Sequence, residues 1–263
     1  MSYLCVGETA KNRGVSESSK RSQSLAEVIR AEKSVRLSGG IYHKIQIDLT
    51  YNSNHIEGNK LSHEQTRYIF ETNTIGTDGE NLKIDDIIET VNHFRCVDII
   101  IDSIGCPPDE ALIKQLHSVL KSGTSDSRLD WFAVGDYKKI PNEVGGNETT
   151  PPENVRTEMH KLLTEYSAAK KKTFDDLLEF HWRFEAIHPF QDGNGRIGRL
   201  LLFKECLRHN IVPFIIDEDL KLYYYRGLRE WPTQKGYLRD TCLAAQDKFK
   251  KVMDYFRIEY NGQ

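Results

Sequence analysis

Apolar residues recur at helical spacing along most of the chain, and short polar or Gly/Pro-containing joints separate the runs. Ile41, Ile45 and Leu49 repeat every fourth position and predict an amphipathic helix, which Gly58 can end in the left-handed conformation. Ser62 and Gln65 then form a capping box for the next helix. Ile84, Ile87, Ile88, Val91, Val97 and Ile101 predict a long helix stopped near Gly105, with Pro107 and Pro108 behind it. Leu112, Ile113, Leu116, Val119 and Leu120 predict another, ended by Gly123. Val155, Met159, Leu162, Leu163 and Tyr166 mark a third, and Leu177, Leu178, His181, Phe184 and Ile187 a fourth that leads into His188. A last amphipathic run carries Leu238, Cys242, Ala245, Phe249, Val252 and Phe256. Residues 135–152 break the pattern: 136–140 followed by 141–146 reads as a short hairpin with a polar turn. Residues 1–22 are rich in Ser, Lys, Glu, Asn and Gly and predict a loosely ordered start.

Composition narrows the class. A chain of 263 residues and 30.4 kDa suits one domain, or one domain with an N-terminal elaboration. With 38% hydrophobic and 29% charged residues it can bury a globular core. A net charge of −3 and a pI near 6.3 point to neither nucleic acid nor membrane as partner. No apolar run reaches a spanning length, the N-terminus lacks a cleavable signal pattern, and no winged-helix segment fits after residue 250. Cys5, Cys96, Cys106, Cys206 and Cys242 include no C-x-x-C pair, and the expectation is reduced cytoplasmic thiols rather than a metal site.

Residues 188–199 read HPFQDGNGRIGR and concentrate the candidate chemistry. Gly193 and Gly195 permit backbone angles that let the chain wrap closely around a ligand. Ile197, Leu200, Leu201 and Phe203 follow at helical spacing, so the turn opens a helix whose free N–H groups and positive dipole end favour an anion. Arg196 and Arg199 lie three apart on one side of that helix and can grip neighbouring phosphates. Asp192 supplies the hard oxygen that a Mg²⁺ bridging phosphates requires. His188 is the group here able to accept a proton near neutral pH without a large pKa shift, and Pro189 favours an extended residue 188. The set suits a polyphosphate clamped while a hydroxyl attacks one of its phosphorus atoms. His117 and His181 are read as buried-face residues instead.

The same segment matches the signature H-x-F-x-D/E-G-N-G-R-x-x-R at every specified position, and the chain resembles the Fic family of protein adenylyltransferases. The resemblance implies transfer of AMP from ATP to a protein hydroxyl, with pyrophosphate leaving. It implies His188 as the base for the target hydroxyl and Asp192 as the Mg²⁺ ligand. Gly193, Asn194, Gly195 and Arg196 would hold the α- and β-phosphates, Arg199 the γ-phosphate, and Phe190 would be a buried peg. Doc-type relatives phosphorylate their target and others move phosphocholine; the second glycine and both arginines favour a full ATP clamp. A catalytically silent, nucleotide-binding interaction module is the rival from a different class.

Residues 53–59 read SNHIEGN and resemble the family's inhibitory signature S/T-x-x-x-E-G/N through Ser53, Glu57 and Gly58. In the family this glutamate pairs with the second motif arginine, here Arg199, so ATP binds weakly or unproductively while the pair holds. Partly buried pairs are worth about 2–3 kcal/mol, roughly 30–150-fold in an equilibrium. The segment precedes the core in one chain, which implies inhibition within the molecule. In some relatives the glutamate instead orients a water that removes AMP, and the motif leaves that activity open.

The resemblance also places a flap at 135–152, which binds the target by strand addition. The family's G-x-Y-R stands here as G-D-Y-K, with Lys138 in the arginine's place. Glu143, Val144, Gly145 and Gly146 are the part expected nearest ATP. Tyr224 and Tyr225 are read either as lining the nucleoside pocket or as core packing. The implied architecture is the mostly α Fic fold, a helical core with a small β-hairpin flap, with N-terminal and inhibitory helices at 23–75 and a catalytic core at 76–263. The implied partner is a protein with a Tyr, Thr or Ser hydroxyl. The chain's own Ser16, Ser18 and Ser19 are included, because tethering raises effective concentration. Homodimers are common among relatives, but no interface is legible in this sequence.

Overall fold

Side-chain caps start five of the ten α-helices among the described residues. Ser24 and Glu27 form a capping box for α1 (Leu25–Val35), Ser62 and Gln65 for α3 (His63–Thr72), and Thr173 and Asp176 for α7 (Phe174–Ile187). Asp109 and Asp217 cap α5 (Glu110–Lys121) and α9 (Glu218–Glu230) by accepting from backbone N–H groups. Each such cap satisfies a donor the helix cannot and is worth about 1 kcal/mol. The remaining helices are α2 (Ile41–Ile56), α4 (Ile84–Asp102), α6 (Pro152–Ser167), α8 (Asn194–Arg208) and α10 (Gly236–Tyr255). This computed structural model describes residues 23–76, 79 and 81–260; the expectations for Cys5, Ser16, Ser18, Ser19 and the loose start at 1–22 lie outside them.

Helix α8 runs through the centre, and every residue from 196 to 207 is buried. It packs against α7, α2, α4, α5 and α1, while α9 and α10 pair as a helical hairpin alongside. One large core joins α1 to α10, and a smaller cluster of Leu61, Ile69 and Phe94 lies beneath the α2–α3 connection. A helix enclosed on all sides must pair its charges. Lys204 donates to Glu205 and to the Cys106 carbonyl, both at 2.6 Å, and Glu205 accepts from Tyr166 at 2.8 Å and Arg208 at 3.2 Å.

Two local expectations need correction. Ile84 does not join the apolar stripe of α4 and is 74% exposed; the buried face of that helix instead carries Asn92 and His93 beside Cys96, Val97, Ile100 and Ile101. The hairpin lies later than read. Its strands are β1 (Glu143–Val144) and β2 (Asn147–Glu148), paired antiparallel. Gly145 and Gly146 form the turn, both at positive φ, as a mirror-image hairpin turn requires. Residues 136–140 are not a strand: the Lys138 N–H donates to the Pro189 carbonyl at 2.8 Å, and Lys138 itself is buried.

Candidate active site

Three devices fix the loop between α7 and α8. Phe190 is fully buried, its ring stacked on His117 at 4.0 Å and 7° and tilted against Tyr137 at 5.9 Å. Asn194 braces the loop from inside: its Oδ1 accepts from the Phe190 N–H and its Nδ2 donates to the Phe190 carbonyl, both at 2.8 Å. Its amide is thus engaged within the loop, which leaves backbone N–H groups for a ligand. Lys138 latches the flap base to the loop, its Nζ donating to Asn142 Oδ1 at 2.7 Å and Thr149 Oγ1 at 2.5 Å; Asn142 in turn donates to the Phe190 carbonyl at 3.0 Å.

His188 caps α7 in the left-handed region (φ 51°, ψ 63°), not in the extended conformation expected before Pro189. Its N–H closes the helix on the Phe184 carbonyl at 3.0 Å, so helix termination and the anchored loop override the preference set by proline. The imidazole titrates at about 4. Burial lowers it first and the Lys138 charge second, against opposing pulls from the Glu185 backbone, Glu57 and Asp192. It is uncharged at neutral pH.

Gly193 starts α8 in the left-handed conformation (φ 83°). The first N–H groups of the helix, at Asn194, Gly195 and Arg196, have no partner inside it and face the loop end. Behind them lies a ring of alternating charges. Asp192 Oδ2 accepts from Lys121 Nζ at 2.7 Å and from Arg196 at 3.0 Å; the Glu89 carboxylate reaches Lys121 at 2.6 Å with one oxygen and Arg196 at 2.5 Å with the other. Burial would raise the Asp192 carboxyl, but Arg196 and Lys121 outweigh it and hold the group well below the usual carboxylate range. No cluster of three or more His, Cys, Asp or Glu side chains suited to a metal occurs among the described residues.

Arg199, one turn further along α8, reaches the end of α2. Its Nε donates to Ser53 Oγ at 3.1 Å, and one terminal nitrogen donates to the Ser53 carbonyl at 2.9 Å and to Glu57 Oε1 at 2.6 Å. Glu57 is the C-cap of α2, followed by Gly58 at φ 94°. The Arg199 side chain is 6% exposed and that of Glu57 30%. Gly195 makes the approach feasible: a Cβ there would collide with the Glu57 carboxylate and lie 2.9 Å from an Arg199 nitrogen.

Residues 107–205 match the profile of the Fic/DOC family. In fold the chain is similar to a Fic domain containing signaling protein from Bacteroides thetaiotaomicron, with a TM-score of 0.70 at 22% identity over 90% of this chain and 99% of that one. It is also similar to a fragment of Fic-1 from C. elegans, with a TM-score of 0.69 at 18% identity over 87% of this chain and 66% of that one. Residues 107–205 therefore form a Fic/DOC family segment within a chain of the Fic fold. Among curated proteins, it is 27% identical over 215 residues to the protein adenylyltransferase Fic of Drosophila willistoni, across 78% of this chain and 40% of that protein. The chain therefore spans about two fifths of the length of such relatives.

Within the Fic fold the remaining candidates divide. Tyr224 is a core residue, 1% exposed, its hydroxyl 2.7 Å from His181 Nε2. Tyr225 is 40% exposed and reaches the Ile56 carbonyl at 3.4 Å, beside Glu57; burial first, then the Glu57 charge, pushes its hydroxyl up to about 12. Glu143, Val144, Gly145 and Gly146 are exposed on the flap. Both His117 and His181 are buried, as read from the sequence. Lys121 and Glu89 went unnoticed. The available signal for Glu89 was its i, i+3, i+4 register with Asn92 and His93, a polar face on an otherwise apolar helix; Lys121 gave none. No helix among the described residues is long and apolar enough to cross a membrane. A cavity of about 720 Å³ bounded by Arg30, Lys170, Arg208 and His209 lies at the other end of α8, and no motif residue lines it.

Proposed function

We propose that this Fic domain transfers AMP from ATP to a hydroxyl of a protein target and is held back by Glu57. The observation that carries the reading is the contact of Glu57 with Arg199, made while the motif loop is otherwise assembled. In this reading the triphosphate lies across the N-terminus of α8, with the α- and β-phosphates on the backbone N–H groups at 194–196 and the γ-phosphate on Arg199. The guanidinium cannot serve Glu57 and a phosphate together, so activation requires Glu57 to leave.

Chemistry then follows from a neutral imidazole beside the phosphates. The target hydroxyl oxygen attacks the α-phosphorus, its proton passes to His188, and the bond to the β-phosphate oxygen breaks with its electron pair leaving on pyrophosphate. Asp192 suits a Mg²⁺: it is anionic, its side chain is 46% exposed, and both cationic contacts fall on Oδ2. Bound there with the phosphates, the ion would neutralise charge on the leaving group. The flap, latched by Lys138, is the surface on which an extended target segment would lie.

The test is label transfer by the Glu57→Gly variant. AMP transfer puts label from α-labelled ATP on protein and adds the mass of AMP. Label arriving only from the γ position would replace this reading with phosphorylation, and nucleotide binding with no transfer from either would leave an interaction module.

A further inference from the structure

Three carboxylate oxygens converge on one buried ammonium. Lys121 Nζ lies 2.6 Å from Glu89 Oε1, 2.7 Å from Asp192 Oδ2 and 3.2 Å from Asp126 Oδ2, and its side chain is 2% exposed. Its placement is built in. Asn92 on α4 donates to the carbonyls of Leu120 and Ser122 at 3.1 and 2.7 Å, which holds the last turn of α5 against α4. Thr124 donates its hydroxyl to the Lys121 carbonyl at 2.9 Å, and the short helical turn Asp126–Arg128 then presents Asp126. Three oxygens around one cationic atom resemble the surroundings of a metal ion, with the ammonium at the centre.

We propose that Lys121 is a resident cation of the phosphate site: it positions Asp192 and keeps a divalent ion off that carboxylate until a polyphosphate brings the ion in. The inference rests on the reading of Asp192 as the metal-holding carboxylate. A divalent ion arriving alone would face two cations already sharing Asp192 Oδ2, Lys121 and Arg196. An ion arriving with a triphosphate brings its own oxygen ligands and negative charge, so the same two cations then favour the complex. Lys121 and Arg196 stand against Glu89, Asp126 and Asp192, one net negative charge; removing Lys121 leaves two and opens the space its ammonium fills.

Calorimetric titration of the full chain with Mn²⁺ alone, without nucleotide, tests this. Lys121→Met is expected to bind one Mn²⁺ at least tenfold more tightly than the unaltered protein. The gain should shrink with Asp126→Asn and vanish with Asp192→Asn. Binding by Lys121→Met no tighter than that of the unaltered protein overturns the proposal. Should that variant not fold, the unaltered protein decides: saturable Mn²⁺ binding that disappears in Asp192→Asn overturns the proposal, and its absence supports it. A parallel titration of both proteins in the Glu57→Gly background, with Mn²⁺ and a non-hydrolysable ATP analogue, separates the two readings. Failure of both proteins to bind that complex counts against nucleotide transfer, whereas the Mn²⁺-only comparison reads Lys121 alone.

Discussion

Glu57 and Arg199 stand 142 residues apart in sequence and 2.6 Å apart in space, carboxylate against guanidinium. Ser53, one helical turn before Glu57, holds the same guanidinium through its hydroxyl and its carbonyl. Nε and one terminal nitrogen of the arginine are therefore engaged by one end of α2. Replacing Glu57 with Gly leaves Arg199 tethered by Ser53 and its outer face open. The initial rate of AMP transfer is expected to rise roughly 30–150-fold, the equilibrium worth of about 2–3 kcal/mol for such a pair. His188→Ala in that background should abolish transfer. An unchanged rate in the Glu57 variant would remove the inhibitory role.

In the proposed reaction, burial and then the Lys138 charge would set the acid limb through His188. Together they hold the imidazole near 4. The base works only when neutral, so in the Glu57→Gly background activity should persist as pH falls below 6 and decline toward 4. Lys138→Met removes the positive charge and loosens the flap latch, and both changes favour protonation of His188. The midpoint of the acid limb should move upward, toward the ordinary histidine value of about 6.5. A pH–rate profile identical in both proteins would contradict the assignment of His188 as base.

Acid stability follows from four buried histidines. His93 and His181 titrate at about 3, and His117 and His188 at about 4, burial being the largest cause in each. Their folded values lie below the unfolded value of about 6.5, so the unfolded chain binds more protons once the pH falls beneath it. Their contribution is complete above about 6.5 and is lost as pH drops toward 4 and 3. Glu185 acts oppositely: burial raises its carboxyl to about 8, and its contribution is full below the ordinary glutamate range and lost as pH rises through 8. Four groups outweigh one on the acid side. The urea midpoint should fall steeply between pH 6.5 and 4, and a flat profile there would refute the neutral buried state of these rings.

Phe190 carries the loop's packing. Truncation to Ala removes a fully buried ring stacked on His117 and should cost about 3–5 kcal/mol, read as a lowered urea midpoint with an unchanged slope. Loss below about 1 kcal/mol would mean that Asn194 and Lys138 hold the loop without it.

Periodicity and capping residues by themselves determined most of the helices, because an i, i+4 apolar stripe and an N-cap hydroxyl act within one or two turns of chain. The box at Ser62 and Gln65, the stop at Gly58 and the glycine turn opening α8 were legible for the same reason. Resemblance added the pairing of Glu57 with Arg199, which no spacing in the chain could give. Tertiary structure decided which groups complete the site. Lys121 and Glu89 meet Asp192 and Arg196 only because α4 and α5 close over the N-terminus of α8. The hairpin register, the left-handed His188 and the inward turn of the Asn194 amide were settled in the same way. A buried charge or amide takes whichever partner the packing of distant helices brings within reach, since desolvation penalises every arrangement that leaves it unpaired.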